Sequence, residues 1–233
     1  MDKTKSHILH PFSCLLLDMN STFMFGEDRF GPQYDYAATY KQFGGSLQPE
    51  QVNAFITATY EHLDGLYPDP AFHDTFPTVA AVLRGLADEH ELSPAEVYRL
   101  ERTFATHELG RIPEPYADGL QRLASSHRLA LVADIWAQKA PWLDELGRAG
   151  VLDLFETTIF SSEIGSVKPS PRGFALAVEE LAVHPRECVV IGDSIRRDVG
   201  GAKAAGLSSI LIGGGGESTG ADYVVEDLLE LVA

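Results

Sequence analysis

The sequence predicts an α/β fold: a parallel sheet built from βαβ units, with an all-helical segment inserted after the first strand. Three observations carry this. Short apolar runs of strand length recur through the second half of the chain, stretches of helical period separate them, and residues 33–110 hold helical periods with no strand-like run between them. Strands alternating with helices imply crossover connections and a parallel sheet. Strands covered on both faces read as unbroken apolar runs, as these do.

The first strand is the run in "CLLLDMNSTF", Cys14 to Phe23, which delivers Asp18 to a sheet edge and continues into a polar turn. "FMFGEDRFG" (23–31) crowds four large apolar residues around an expected hairpin turn. It reads as a hydrophobic hinge or as a gate with Arg29 facing an anionic group. Helices are expected at 33–45, stopped by Gly44 and Gly45, and at 49–65, where Val52, Phe55, Ile56, Tyr60 and Leu63 share a face. Two more follow, at 78–90 and at 93–110, the last opening with a capping box from Ser93 to Glu96. The helical segment is bounded near Gly26–Gly31 and Arg111–Pro115.

Later strands are expected at "RLALVAD" (128–134), "FETTIFSSE" (155–163), "ECVVIGD" (187–193), "LSSILIG" (207–213) and "ADYVVED" (221–227). Between them "SPRGFALAVEELA" (170–182) sets Phe174, Ala177, Val178 and Leu181 on one helical face, with Ser170 as cap and Pro171 in the first turn. There is no internal repeat and no low-complexity tract beyond the glycines at 213–216.

Composition narrows the class. The 233 residues suffice for one large domain or one domain with an insertion. No segment reaches the ~18 uncharged apolar residues of a membrane span. Two cysteines, Cys14 and Cys188, each open an apolar run and read as buried thiols, which suits a reducing, cytoplasmic setting. A net charge of −16 argues against nucleic acid and anionic membranes as partners. It leaves room for a small anionic substrate in a cleft where a lysine or a metal ion reverses the local field.

In open α/β sheets ligands bind beyond the carboxyl ends of the strands. The first strand ends at Asp18, the run at 187–193 leads into "GDSIRRD" with Asp193 and Asp198, and "SSEIGSVKPSP" after the run at 155–163 carries Lys168. Converging carboxylates repel by roughly 4 kcal/mol per pair at ~4 Å and a dielectric near 20. Either their pKa values rise or a cation binds. All-oxygen ligands suit Mg²⁺, and Lys168 is then placed to hold a phosphate. Singly, each residue also has an ordinary reading, as a helix cap, a turn residue or a surface lysine.

Together the segments resemble the haloacid dehalogenase-like hydrolase superfamily. "DMNST" (18–22) resembles its first motif, usually Asp-x-Asp-Gly-Thr, "GSVKPSPRGF" (165–174) its lysine motif, and "VVIGDSIRRDVGGAKAAG" (189–206) its acidic motif. The resemblance implies a Rossmann-like core over residues 1–25 and 112–233 with a helical cap over 26–111. It implies a Mg²⁺-dependent phosphatase acting on a small phosphorylated metabolite. Asp18 is then the nucleophile that forms an aspartyl phosphate, Lys168 a catalytic and substrate-binding partner, and Asp18, Asn20, Asp193 and Asp198 the metal set. Asp198 supports that set from outside, and Asn20 contributes through its backbone carbonyl. Thr22, Ala133 and Asp134 stand at substrate-binding places.

The departures matter as much. Asn20 replaces the family's second aspartate, Ser21 its glycine, and Ala133 the serine or threonine at the end of the 128–134 strand, followed by Asp134. Asn20 cannot carry a proton, so the acid–base contribution, roughly 10² to 10⁴ in rate, has no owner in the expected place. Two other readings therefore stand beside the phosphatase. One is a phosphate-binding or regulatory protein of low turnover. The other is a dehalogenase, disfavoured by the Gly-Asp-Ser sequence at 192–194. Trp136 reads as packing or as a pocket wall, and Arg196 and Arg197 as counter-charges for nearby acids.

Overall fold

The computed structural model describes residues 5–90, 92–214 and 219–232, so glycines 215 and 216 of the four-glycine tract lie outside the described residues. Strand β1 (Cys14–Leu17) is followed by four helices: α1 (Tyr36–Gln42), α2 (Pro49–Leu66), α3 (Val79–His90) and α4 (Pro94–Glu108). Then come α5 (Glu114–Ala124), β2 (Arg128–Ala133), α6 (Ala140–Arg148), β3 (Phe155–Phe160), α7 (Ser161–Ile164) and α8 (Arg172–Leu181). The chain closes with β4 (Cys188–Gly192), one turn of π-helix (Ile195–Val199), α9 (Gly200–Ala204), β5 (Ser208–Ile212) and β6 (Tyr223–Val225).

All six strands are parallel, in the order β3-β2-β1-β4-β5-β6. Alternation along β1 explains its two-sided burial. Leu15 and Leu17 face one core, shared with α5, α6 and the helices after β1, while Cys14 and Leu16 face the other, shared with α8 and α9. Fully buried leucines are worth about 1.5–3 kcal/mol each, which anchors the strand that carries Asp18. Cys14 and Cys188 lie side by side on neighbouring strands as free, buried thiols.

Most strands are a residue or two shorter than the apolar runs suggest. The run at 155–163 breaks at Phe160, because Ser161 begins the short helix α7. The expected hairpin at 23–31 is replaced by a different pairing. Phe25 exchanges two backbone hydrogen bonds with Arg111, at 2.9 and 2.8 Å, so the strand-like contact forms where the chain leaves the sheet region and returns.

Between those two residues the described chain is helical. Asp35 caps α1 by accepting from the Ala37 and Ala38 N–H groups. The Ser93–Glu96 capping box opens α4, as expected. Helix α8 starts at Arg172 rather than Ser170, yet the Ser170 hydroxyl still accepts the Arg172 N–H at 3.2 Å. The connection between α2 and α3 docks on the loops beyond β2 and β3. Val167 donates to the His73 carbonyl at 2.8 Å, Phe76 to Gly165 at 3.0 Å and Val79 to Trp136 at 3.0 Å. The Ser170 hydroxyl donates to Asp74 at 2.5 Å.

Candidate active site

Strand order reverses between β1 and β4, and the site lies there. The Asp18 N–H donates to the Ile191 carbonyl at 2.9 Å, which extends the β1–β4 pairing and fixes the carboxylate above the strand ends. Asp193 follows β4 directly, and the π-helical turn carries Asp198 back to it. Single π-turns recur at functional sites. Gly192 is required here, since a Cβ at that position would lie 2.3 Å from the Asp198 carboxyl carbon.

Lys168 joins two of these acids. Its Nζ donates to Asp18 Oδ1 and, at 2.7 Å, to Asp198 Oδ1, and all three side chains are buried. Burial pushes the Asp18 carboxyl up, the Lys168 ammonium pulls it down and the Asp198 charge pushes it up again, leaving it raised. Burial alone would lower Lys168, but Asp18, Asp198 and Asp134 outweigh it, so the ammonium stays charged. Burial likewise raises Asp193.

One oxygen from each of Asp18, Asp193 and Asp198 lies within 4.8 Å of the other two. Asp193 Oδ1 and Asn20 Oδ1 are buried without a hydrogen-bond partner. Unpartnered buried oxygens are costly, and a hard divalent cation satisfies this donor set. Asp198 differs, because Lys168 occupies one of its oxygens and the Ser194 N–H the other, at 3.0 Å. That suits a supporting place behind the direct ligands.

The adjoining cleft, about 110 Å³, is lined by Asp18, Asn20, Lys168, Asp134, Tyr67, Trp136 and Arg197, with Glu27, Asp28 and Glu108. It is small beside the roughly 300–1,000 Å³ of sites for drug-sized ligands. Asp134 accepts the Lys168 backbone N–H at 3.1 Å and the Tyr67 hydroxyl at 2.8 Å. Burial raises both Asp134 and Tyr67. Thr22 is buried and donates to Asp18 Oδ2 at 3.4 Å, so its hydroxyl orients the carboxylate. Ala133 is buried at the end of β2 and is not among the residues lining the cleft.

Arg29, Trp136 and Arg196 each have an open reading in the sequence. Arg29 does not line the cleft: its guanidinium donates to the carbonyls of Gly26, Leu109 and Thr106 and closes the end of α4. Trp136 fits both of its readings, since it lines the cleft and packs in tilted and edge-on contacts with Tyr60, Tyr67, Phe76 and Phe104. Arg196 is exposed, with its guanidinium 5.8 Å from the Tyr67 ring. Tyr67 and Glu108 gave no functional signal in the sequence. Glu108 accepts the Trp136 and Ala137 N–H groups at 2.5 and 3.0 Å. One clue was available, since an acid in the last turn of a helix opposes the dipole and so has a reason to be there.

Comparison with known proteins gives a consistent family. A model described as haloacid dehalogenase-like hydrolase matches residues 13–206. A phosphatase of Mycobacterium tuberculosis is 31% identical over 178 residues, 73% of this chain and 76% of that one. A glyceraldehyde 3-phosphate phosphatase of Methanopyrus kandleri is 38% identical over 69 residues, and the match spans 30% of that relative's length. The crystal structure of an HAD phosphatase from Thermococcus onnurineus superposes with a TM-score of 0.62 at 26% identity, covering 94% of this chain and 96% of the other.

Proposed function

The chain belongs to the haloacid dehalogenase-like hydrolases, and from that membership we propose that it is a Mg²⁺-dependent phosphatase that acts on a small phosphorylated metabolite through Asp18. The observation that carries this reading is the grouping of Asp18, Lys168, Asp193 and Asp198 at the strand-order reversal, with two buried oxygens unpartnered. Asp18, Asp193 and the carbonyl group of Asn20 would hold Mg²⁺, and Asp198 would support them. The ion would supply positive charge where the phosphoryl group loses its leaving oxygen.

Each residue then has a task. An Asp18 carboxylate oxygen forms the new bond to phosphorus while the ester oxygen leaves with its electron pair. Lys168 offsets part of the burial penalty on the Asp18 carboxylate and aims it, and Thr22 holds the other carboxylate oxygen. Asn20 can orient the leaving oxygen but cannot protonate it. The best substrates are therefore acyl or aryl phosphates, whose oxygens depart without a donated proton. The cleft volume favours a small ester.

Phosphate release from an aryl phosphate, with and without Mg²⁺, tests the proposal. Release should require Mg²⁺ and vanish in Asp18→Asn, and Asp193→Asn should bind Mg²⁺ far more weakly by calorimetry. Equal Mg²⁺ affinity in wild type and Asp193→Asn removes the metal assignment. Asn20 favours a second reading, a phosphate-binding protein whose aspartyl phosphate persists because no base activates water. Phosphate binding without turnover would select it.

A further inference from the structure

The cleft holds two cations in different states. Two of the three Lys168 donors are committed, to Asp18 and to Asp198. Arg197 is half-buried in the same cleft. Among the described residues its guanidinium makes no hydrogen bond, and its ion contact to Asp193 spans 3.9 Å, beyond hydrogen-bond reach. Yet the residue is held in place. Its backbone N–H donates to the Ser194 hydroxyl at 3.2 Å, and its guanidinium carbon lies 5.6 Å from the centre of the Tyr67 ring. A half-buried fork of donors that lines the cleft and makes only a long contact to Asp193 is available to an anion.

Charge says which ligand. Lys168 and Arg197 are the two cationic side chains lining the cleft, and Lys168 is already engaged by the Asp18 and Asp198 carboxylates, which leaves the Arg197 guanidinium for an incoming anion. A second anionic group elsewhere on the substrate would meet Glu27 and Asp28, which also line the cleft. The reacting phosphoryl group is the anion the surroundings favour.

Building on the phosphatase reading, we propose that Arg197 binds the phosphoryl oxygens of the substrate directly. The guanidinium matches two phosphoryl oxygens in one plane.

The test compares wild type with Arg197→Met, which removes the donors and keeps much of the volume, and with Arg197→Lys. Inorganic phosphate binding to the Mg²⁺-loaded protein is measured by calorimetry, beside Mg²⁺ affinity and kcat and KM for two aryl phosphates, one with an uncharged ring and one with a carboxylate on the ring. Phosphate affinity should fall about 10- to 100-fold in Arg197→Met, the range for charge-assisted hydrogen bonds. It should fall less in Arg197→Lys. KM should rise, and Mg²⁺ affinity should not fall. Unchanged phosphate affinity in an active Arg197→Met overturns the proposal alone. A matching drop in Mg²⁺ affinity also overturns it, since Arg197 would then act through Asp193. So does a loss confined to esters with a second anionic group. A wild type that neither binds phosphate nor releases it overturns the phosphatase reading, and this role with it.

Discussion

Asn20 stands where a second carboxylate would exchange a proton with the leaving oxygen, and its own side-chain oxygen lies buried without a partner. Restoring the acid should restore the proton step. Asn20→Asp is expected to raise hydrolysis of alkyl phosphates by up to roughly 10² to 10⁴, and of aryl phosphates by less. Steady-state turnover of both ester types, with Asp18→Asn as blank, measures this. No gain over an active wild type would mean another group moves the proton. Asp134, which lines the cleft, is the first suspect. The neighbouring departure has a local cost. Ser21 sits at φ 57°, in the left-handed region that glycine adopts freely. Its hydroxyl gains a 2.9 Å hydrogen bond to Glu27 in return. These residues were legible in the sequence because each sits in a contiguous motif. Tyr67 and Asp134 are 67 positions apart, and no local pattern announces their hydrogen bond.

The end of α4 shows how an element is tied to the site. Glu108 is its last residue, 4% exposed, and it receives the two N–H groups that follow Asp134 and Ile135. Burial pushes its pKa from 4.5 to about 8, although both N–H bonds pull the other way. The folded state therefore holds this proton more tightly than the unfolded chain. The stability it contributes is complete below about 4.5 and is lost as pH rises towards about 8. Glu108→Gln removes that dependence. Urea unfolding at several pH values between about 5 and 7.5 should show the variant gaining on wild type with rising pH, by at most about 1.4 kcal/mol per unit. A pH-independent difference would mean Glu108 is ionised in the fold. Helix and strand placement was largely readable from period and caps, because those are contacts within an element. The docking of residues 67–79 on the loops beyond β2 and β3 was not. It rests on backbone groups such as the His73 carbonyl, which carry no sequence signature.

At the scale of the molecule, the question is whether residues 26–111 form a unit that the rest of the chain can do without. Phe25 and Arg111 already meet through two backbone hydrogen bonds, so the ends left by excising 26–111 lie together. The six-stranded sheet keeps α5, α6, α8 and α9 around it without this segment. Against that, one apolar cluster runs continuously from Leu15 and Leu17 into Phe104 and Ile56. Trp136 would lose its ring contacts with Tyr60, Tyr67, Phe76 and Phe104. Sheet topology is a closed set of pairings and survives this loss, while the exposed aromatic face lowers stability. Joining Phe25 to Ile112 through a short glycine linker should leave a chain that unfolds cooperatively, at a lower temperature than wild type. Its cleft would lack the Tyr67 and Glu108 walls, so it should discriminate less among phosphate esters. Circular dichroism through a thermal ramp, followed by turnover on a panel of esters, reads both expectations. A chain with no cooperative transition would show that the continuous cluster, and not the sheet alone, defines the folding unit.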